Sequence, residues 1–313
     1  MVVLPAPVIV AEEGPYTALV TAYDPEIEEL LGYLEALPDF DLTETVEHKG
    51  VTYRKGRIGE EPVVIFVTGM SIANAAMTMQ MAIERFPLKR VLYSGIAGAV
   101  NPELQVGDVV VPERWYYHDE SAYFNPDEEQ PGEHVVADYF ASSSRFYAEN
   151  RPDDPHIPDY DNFGMIYPDE VLVIKEGWER PREVSYFEAT PAFIEAARQA
   201  VEGMPELAVS ESRNAIVKVG GNGVTGSVFV DNLSYREWLR AVWNAEVTEM
   251  ESAAIGQICF VNEIPWLIVR GVSDLAGGQT GKNEENIYDR VASLNAAQVL
   301  VAILQELESV TAE

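Results

Sequence analysis

Nearly continuous apolar runs, each closed by a polar or glycine-rich step, recur along this chain. They read TALVTAY at 17–23, PVVIFVTG at 62–69, RVLYSGIAGAV at 90–100, GDVVVPERWYY at 107–117 and PWLIVRGVSD at 265–274. A strand with so few polar positions has both faces buried. Helical stretches lie between the runs. DPEIEELLGYLEAL at 24–37 has Asp24 as a candidate cap, Pro25 at the first helical position and acids in its first turn. Further helices are expected over 71–86, 191–201, 233–243, from about Glu249, and over 287–308. VTYRKGRIG at 51–59 pairs with 62–69 around Gly59, and shorter strands are expected near 214–219 and 224–230. The alternation predicts an α/β fold with a mixed, largely parallel central sheet covered by helices.

Residues 1–313 are expected to form a single domain with an insertion at about 118–190. There Pro, Asp, Asn and aromatics crowd FNPDEEQPGEHVV and NRPDDPHIPDYDNFGMIYP. The recurring Tyr and Phe predict an ordered segment, of the kind that serves as a lid or a partner contact. No internal repeat is evident.

Charge narrows the partners. Asp and Glu number 52 against 21 Lys and Arg, for a net charge of −31. A nucleic-acid backbone would be repelled, so no nucleic-acid partner is expected. Cys259 is the one cysteine, which rules out an internal disulfide, and its apolar neighbours predict a core residue. His48, His118, His134 and His156 show no metal-ligand spacing, and no metal is expected. No apolar run reaches membrane-span length, so no membrane partner is expected. The start, MVVLPAPVIVAEEG, lacks a basic leader and is broken by Pro5 and Pro7. A cytoplasmic location is expected, with an exported origin left open.

In open α/β sheets, ligands gather at the carboxyl ends of strands. Here those ends are AYDPE, SGIAGA and RGVSD. TEMESAA at 248–254 adds Glu249 and Glu251 around Met250, just before the late strand. On residues alone, both glutamates could be ligand contacts or dipole partners of a helix start. Asp274 could be an acid or a helix cap, and Glu26 a base or a solvated first-turn acid.

Five segments, VTGMSIANAAMTMQ, SGIAGAVNPELQVGDVVVP, GNGVTGSVFVDN, TEMESAAIGQIC and IVRGVSDLAGG, occur in this order. Together they resemble the superfamily of purine nucleoside phosphorylases and methylthioadenosine/S-adenosylhomocysteine nucleosidases. The resemblance covers nearly the whole chain outside 118–190. GSVFVDN and SDLAGG are most similar to a plant branch, the bark-storage-protein-like members, which includes storage proteins. The resemblance implies a nucleoside phosphorylase-like fold, no cofactor, a small-molecule nucleoside substrate and a homo-oligomer.

It also implies roles. Glu251 would accept hydrogen bonds from the ribose 2′- and 3′-hydroxyls, with Met250 against the sugar. Asp274, oriented by Ser273, would protonate N7 of the leaving purine. Phe229 and Val230 would flank the base. Glu26 would activate water, with Arg270 helping to hold it. Glu249 would point elsewhere, as a first-turn dipole partner. Phosphorylases of the superfamily grip phosphate with an arginine where this chain has Tyr93. Nucleosidases often carry Ser or Thr where it has Ile96. The expected activity is therefore hydrolysis of the N-glycosidic bond of a purine nucleoside or a 5′-thio-substituted adenosine. The alternatives are a phosphate-dependent purine nucleoside phosphorylase and a nonenzymatic nucleoside-binding or storage protein.

Overall fold

In a computed structural model, residues 14–138, 140, 156, 160–283 and 285–311 are described. The chain begins with β1 (Tyr16–Thr21), α1 (Asp24–Glu35), β2 (Phe40–His48), β3 (Val51–Ile58), β4 (Glu61–Val67), α2 (Ile72–Arg85) and β5 (Leu88–Ala99). β6 (Val109–Val111), β7 (Arg114–Tyr117), β8 (Ser121–Tyr123), β9 (Ile166–Pro168), β10 (Val171–Val173), β11 (Arg182–Val184) and β12 (Phe187–Glu188) follow. Then come α3 (Pro191–Gly203), β13 (Ala208–Ser210), β14 (Arg213–Asn214), β15 (Val217–Val219), β16 (Asn222–Thr225) and α4 (Leu233–Trp243). β17 (Ala245–Glu249), α5 (Ser252–Asn262), β18 (Trp266–Asp274) and α6 (Glu285–Thr311) close it.

Among the described residues, twelve strands form one sheet whose main path runs β12-β7-β16-β17-β5-β1-β4-β3-β2. β5 is its spine. Its first half pairs in parallel with β1 and most of its length pairs in parallel with β18. Its end turns to meet β17 antiparallel, Val247 opposite Ala99. β1 pairs parallel with β4, whereas β2–β3 and β3–β4 are antiparallel. The sheet is thus mixed and largely parallel in its centre, as the apolar runs predict. β1 and β18 are buried at every position. Leu30 and Leu34 of α1 and Leu300, Ile303 and Leu304 of α6 join the same core.

Four expectations change. β2 was not expected: FDLTETVEH is mostly exposed and polar, because it is the edge strand and shows no apolar run. The run 107–117 is two strands, broken where Pro112 lacks an N–H to continue a ladder. The strand expected over 224–230 stops at Thr225, and 226–232 is a loop. Asp24 makes no capping bond; Tyr23 is the cap residue and Asp24 is the first residue of α1.

Part of the 118–190 insertion, 139, 141–155 and 157–159, lies outside the described residues. Several of its described aromatics pack, although Tyr123 is exposed. Tyr160 meets Trp243 at 5.8 Å between ring centroids, Phe163 meets Trp238 at 5.5 Å, and Tyr186 meets Tyr116 at 5.5 Å. Among the described residues no helix is long and apolar enough to cross a membrane, and no His, Cys, Asp and Glu group could hold a metal. Cys259 is buried and its thiol is pushed up by desolvation.

Candidate active site

The carboxyl ends of β1, β5, β17 and β18 open onto one cleft. Ala22, Tyr23 and Glu26 line it from the β1–α1 step, and Ile96, Ala97 and Gly98 from β5. Thr248, Glu249, Met250 and Glu251 come from β17 and the link to α5, and Ser273 and Asp274 from β18. Val228, Phe229 and Val230 of the loop after β16, with Met70, complete it. Its empty space is about 630 Å³, open solvent included.

Glu26 faces inward although it sits in the first turn of α1, and it is 3% exposed. Its Oε2 accepts from the Ala22 N–H at 2.6 Å and its Oε1 from the Ile96 N–H at 2.8 Å. Those two bonds fix the carboxylate between β1 and β5. Burial pushes it up to about 6, against the opposing pull of Arg270.

Arg270 lies fully buried behind the cleft. Its guanidinium donates to Glu249, to the Ser252 hydroxyl at 2.8 Å and to the Ile96 carbonyl at 3.2 Å. It lies 3.4 Å from Glu251 and 3.8 Å from Glu26. One cation therefore faces three buried carboxylates. It stays protonated, since all three raise its affinity for the proton. Rather than lining the cleft, as a water-holding residue would, it clamps the groups that do. Gly95 makes this approach possible: a Cβ there would sit 2.2 Å from the guanidinium and 2.6 Å from Glu26 Oε1.

Glu249 is not in the first turn of α5. It ends β17, and α5 begins at Ser252. Its carboxylate accepts from the N–H groups of Glu251 and Ser252, both at 2.9 Å, and also from Arg270 and the Thr225 hydroxyl. So a strand end, not a helix turn, carries it, and it helps anchor the bend that presents Glu251. Glu251 accepts from the Ser71 N–H at 2.7 Å with Oε1. Burial and the charge of Glu249 push its carboxyl up, while Arg270 pulls it down.

Asp274 closes the opposite side and is 6% exposed. Its Oδ2 faces the Ser273 hydroxyl at 3.0 Å, and its Oδ1 accepts from the Ala276 N–H at 2.8 Å. Desolvation raises its pKa. The N–H bond closes a turn at the strand end and does not start a helix: α6 begins only at Glu285. Met250 borders the cleft, Val230 is buried, and Phe229 stays 60% exposed at its rim.

The expected residues Glu26, Met250, Glu251, Phe229, Val230, Ser273 and Asp274 thus share one cleft, with Arg270 behind it. Sequence reasoning missed Ser252, which takes two Arg270 donors, and the backbone of Ser71. A backbone donor carries no side-chain signal, and Ser252 reads as an ordinary helix-start serine.

The model of the phosphorylase superfamily matches residues 16–305. The chain belongs to that superfamily. Superfamily relatives include methylthioadenosine/S-adenosylhomocysteine nucleosidases from Mycobacterium tuberculosis, 25% identical over 270 residues (82% of this chain, 86% of the relative), and from Tolumonas auensis, 25% identical over 265 residues (84% and 90%). Among solved structures, futalosine hydrolase of Helicobacter pylori superposes with a TM-score of 0.64 at 19% identity, covering 93% of this chain and 98% of that one. The Colwellia psychrerythraea methylthioadenosine/S-adenosylhomocysteine nucleosidase in complex with adenine gives 0.64 at 23% identity, covering 94% and 96%. These superpositions establish that the superfamily fold is shared.

Proposed function

We propose that this superfamily member hydrolyses the N-glycosidic bond of a purine nucleoside or a 5′-thio-substituted adenosine. One observation carries the reading: three buried carboxylates around one fully engaged guanidinium face a fourth carboxyl, Asp274, across a single cleft. The relatives named as nucleosidases, which the chain matches along most of their length, support it.

The chemistry follows from the environments. Breaking the bond to C1′ sends its electron pair to the base and leaves an oxocarbenium-like sugar. Asp274, whose hold on its proton burial strengthens, gives that proton to N7, so a neutral purine leaves. Glu251 accepts from the ribose hydroxyls and, in its ionised form, places negative charge beside the cationic sugar. Glu26, titrating near 6, is mostly ionised at neutral pH and takes a proton from the attacking water. The water oxygen bonds C1′, and free sugar results. Phe229 and Val230 flank the base, and Met250 packs on the sugar. Met70, Val228 and Phe229 are exposed at the rim, apolar surface that a second copy of the chain would cover in a homo-oligomer.

The same cluster disfavours phosphate. A dianion needs free N–H donors or cations, whereas Arg270 is already spread over Glu249, Ser252 and Ile96. The test is base release from adenosine and methylthioadenosine in phosphate-free buffer, followed by a phosphate titration. Free ribose or its 5′-thio derivative, with no rate gain from phosphate, is expected. A sugar 1-phosphate formed at a rate that saturates in phosphate would establish the phosphorylase instead. No base release from any nucleoside would point to a binding or storage role.

A further inference from the structure

A second hollow adjoins Asp274 on the side away from the sugar-facing carboxylates. Ser273, Asp274, Gln279, Lys282, Asn283 and Tyr288 border it. Its wall is the segment 275–283, which presses on the end of the base-facing loop. A Cβ at Gly277, whose φ is +92°, would lie 2.3 Å from the Asn232 nitrogen, so only glycine allows the approach. Side chains then close it. Gln279 donates to Asp231 Oδ1 at 2.6 Å. The Asn283 amide donates to the same oxygen at 3.3 Å and to Asp274 Oδ1 at 3.2 Å. Asp231 directly follows Phe229 and Val230, and Asn232 caps α4 by accepting from the Tyr235 N–H at 2.9 Å.

We propose that Asp231 and Asn283 are positioning residues, which latch the 275–283 loop to the base-facing loop and keep the acidic proton of Asp274 on Oδ2. The inference rests on the nucleosidase reading. Oδ1 already accepts two N–H groups, from Ala276 and Asn283. A proton on that oxygen would point at a donor. Oδ2 meets the Ser273 hydroxyl, which can rotate to accept. One amide thereby ties the position of the acid to the position of the loop that flanks the base.

The two residues also push the acid in opposite directions. Asn283 hydrogen-bonds the charged form and pulls Asp274 down, whereas the charge of Asp231 raises it. Other charged groups surround the site. Lys282 borders the hollow, Arg236 of α4 reaches Gly278, and Arg270 lies four residues back on β18. Glu26, Glu249 and Glu251 face Asp274 across the cleft. Neither substitution removes any of these groups.

The experiment titrates the protein without ligand, carrying carbon-13 in its Asp carboxyls, with Asp274 assigned by the signal lost in Asp274→Asn. Asn283→Ala should raise the Asp274 midpoint and Asp231→Asn should lower it, each by roughly half a pH unit or more. The alkaline limb of kcat should move in the same two directions. Thermal melting controls that both variants fold. Shifts of one sign, or none in either folded variant, would overturn the latch. If the midpoints move oppositely while the wild type releases no base, the latch stands and the nucleosidase reading falls.

Discussion

The Arg270 guanidinium lies over the Tyr93 ring, 4.7 Å from Cζ to centroid. Tyr93 is fully buried, so the cation gains a ring face in surroundings where water cannot compete. Tyr93 thereby backs the arginine that holds the carboxylates.

Replacing that cation should be costly and pH-dependent. Arg270→Met leaves Glu26, Glu249 and Glu251 buried without a counter-charge, a loss of about 3–5 kcal/mol. Glu26 and Glu251, which Arg270 pulls down, then titrate higher in the folded state, so the loss grows as pH rises and shrinks toward acid pH. Urea unfolding across pH measures it; a pH-independent loss would mean the charges are compensated elsewhere.

Asp274→Asn should nearly abolish turnover while a purine or substrate analogue still binds. The amide keeps the shape but cannot give N7 a proton, a contribution of ~10²–10⁴-fold. Single-turnover kinetics with calorimetric binding separate the two. Turnover within about threefold of wild type removes Asp274 from the acid role.

Glu251→Gln should weaken binding and slow catalysis together, because the amide loses charge and one acceptor. The comparison is with a 2′-deoxynucleoside, which should suffer less from the change. Equal penalties on both substrates would show that Glu251 does not touch the 2′-hydroxyl.

Glu26 links activity and stability to pH with opposite signs. Its ordinary value is 4.5 and its folded value about 6, so the folded chain binds more protons between them. Its stabilising contribution is complete below 4.5 and falls, by about 2 kcal/mol, as pH rises through 6. Wild type should lose that much relative to Glu26→Gln between pH 4.5 and 7. kcat/KM should fall as pH drops below about 6, where the base takes up its proton. Parallel stability curves for the two proteins would contradict the buried-base assignment.

Gly95→Ala should cost about 1–3 kcal/mol and most of the activity, since its methyl would meet the guanidinium and Glu26 at once. Gly98→Ala is the milder comparison: its Cβ would come no closer than 3.0 Å to Asp274 Oδ1 and 3.1 Å to the Ala276 Cβ, so only the acid and its turn should be disturbed. Melting temperatures and kcat for the pair check the order.

What the sequence disclosed follows the apolar record. β1, β4, β5 and β18 are buried and apolar, so their runs are legible, and the polar residues just past them mark the cleft. β2 was illegible because an edge strand with a solvated face carries no such run. Glu249 was misread because EMES looks like an acidic helix start; only the pairing of Val224 and Thr225 with Thr248 and Glu249 shows that the strand runs to it. Arg270 was legible as a site residue but not as a clamp, since its partners come from α1, β5, β17 and α5.

Glu26 and Asp274 stand near opposite ends of the chain, yet both rest against β5, Glu26 through the Ile96 N–H and Asp274 through the pairing of β18. Joining them closes a loop of almost the whole molecule, the kind of distant pairing that forms late and slowly. During refolding, compaction and helix signals should therefore return before turnover does. A fragment ending before β18 lacks the acid, the Arg270 clamp and the strand that pairs along most of β5, so activity reports arrival of the last strand rather than any earlier stage of folding.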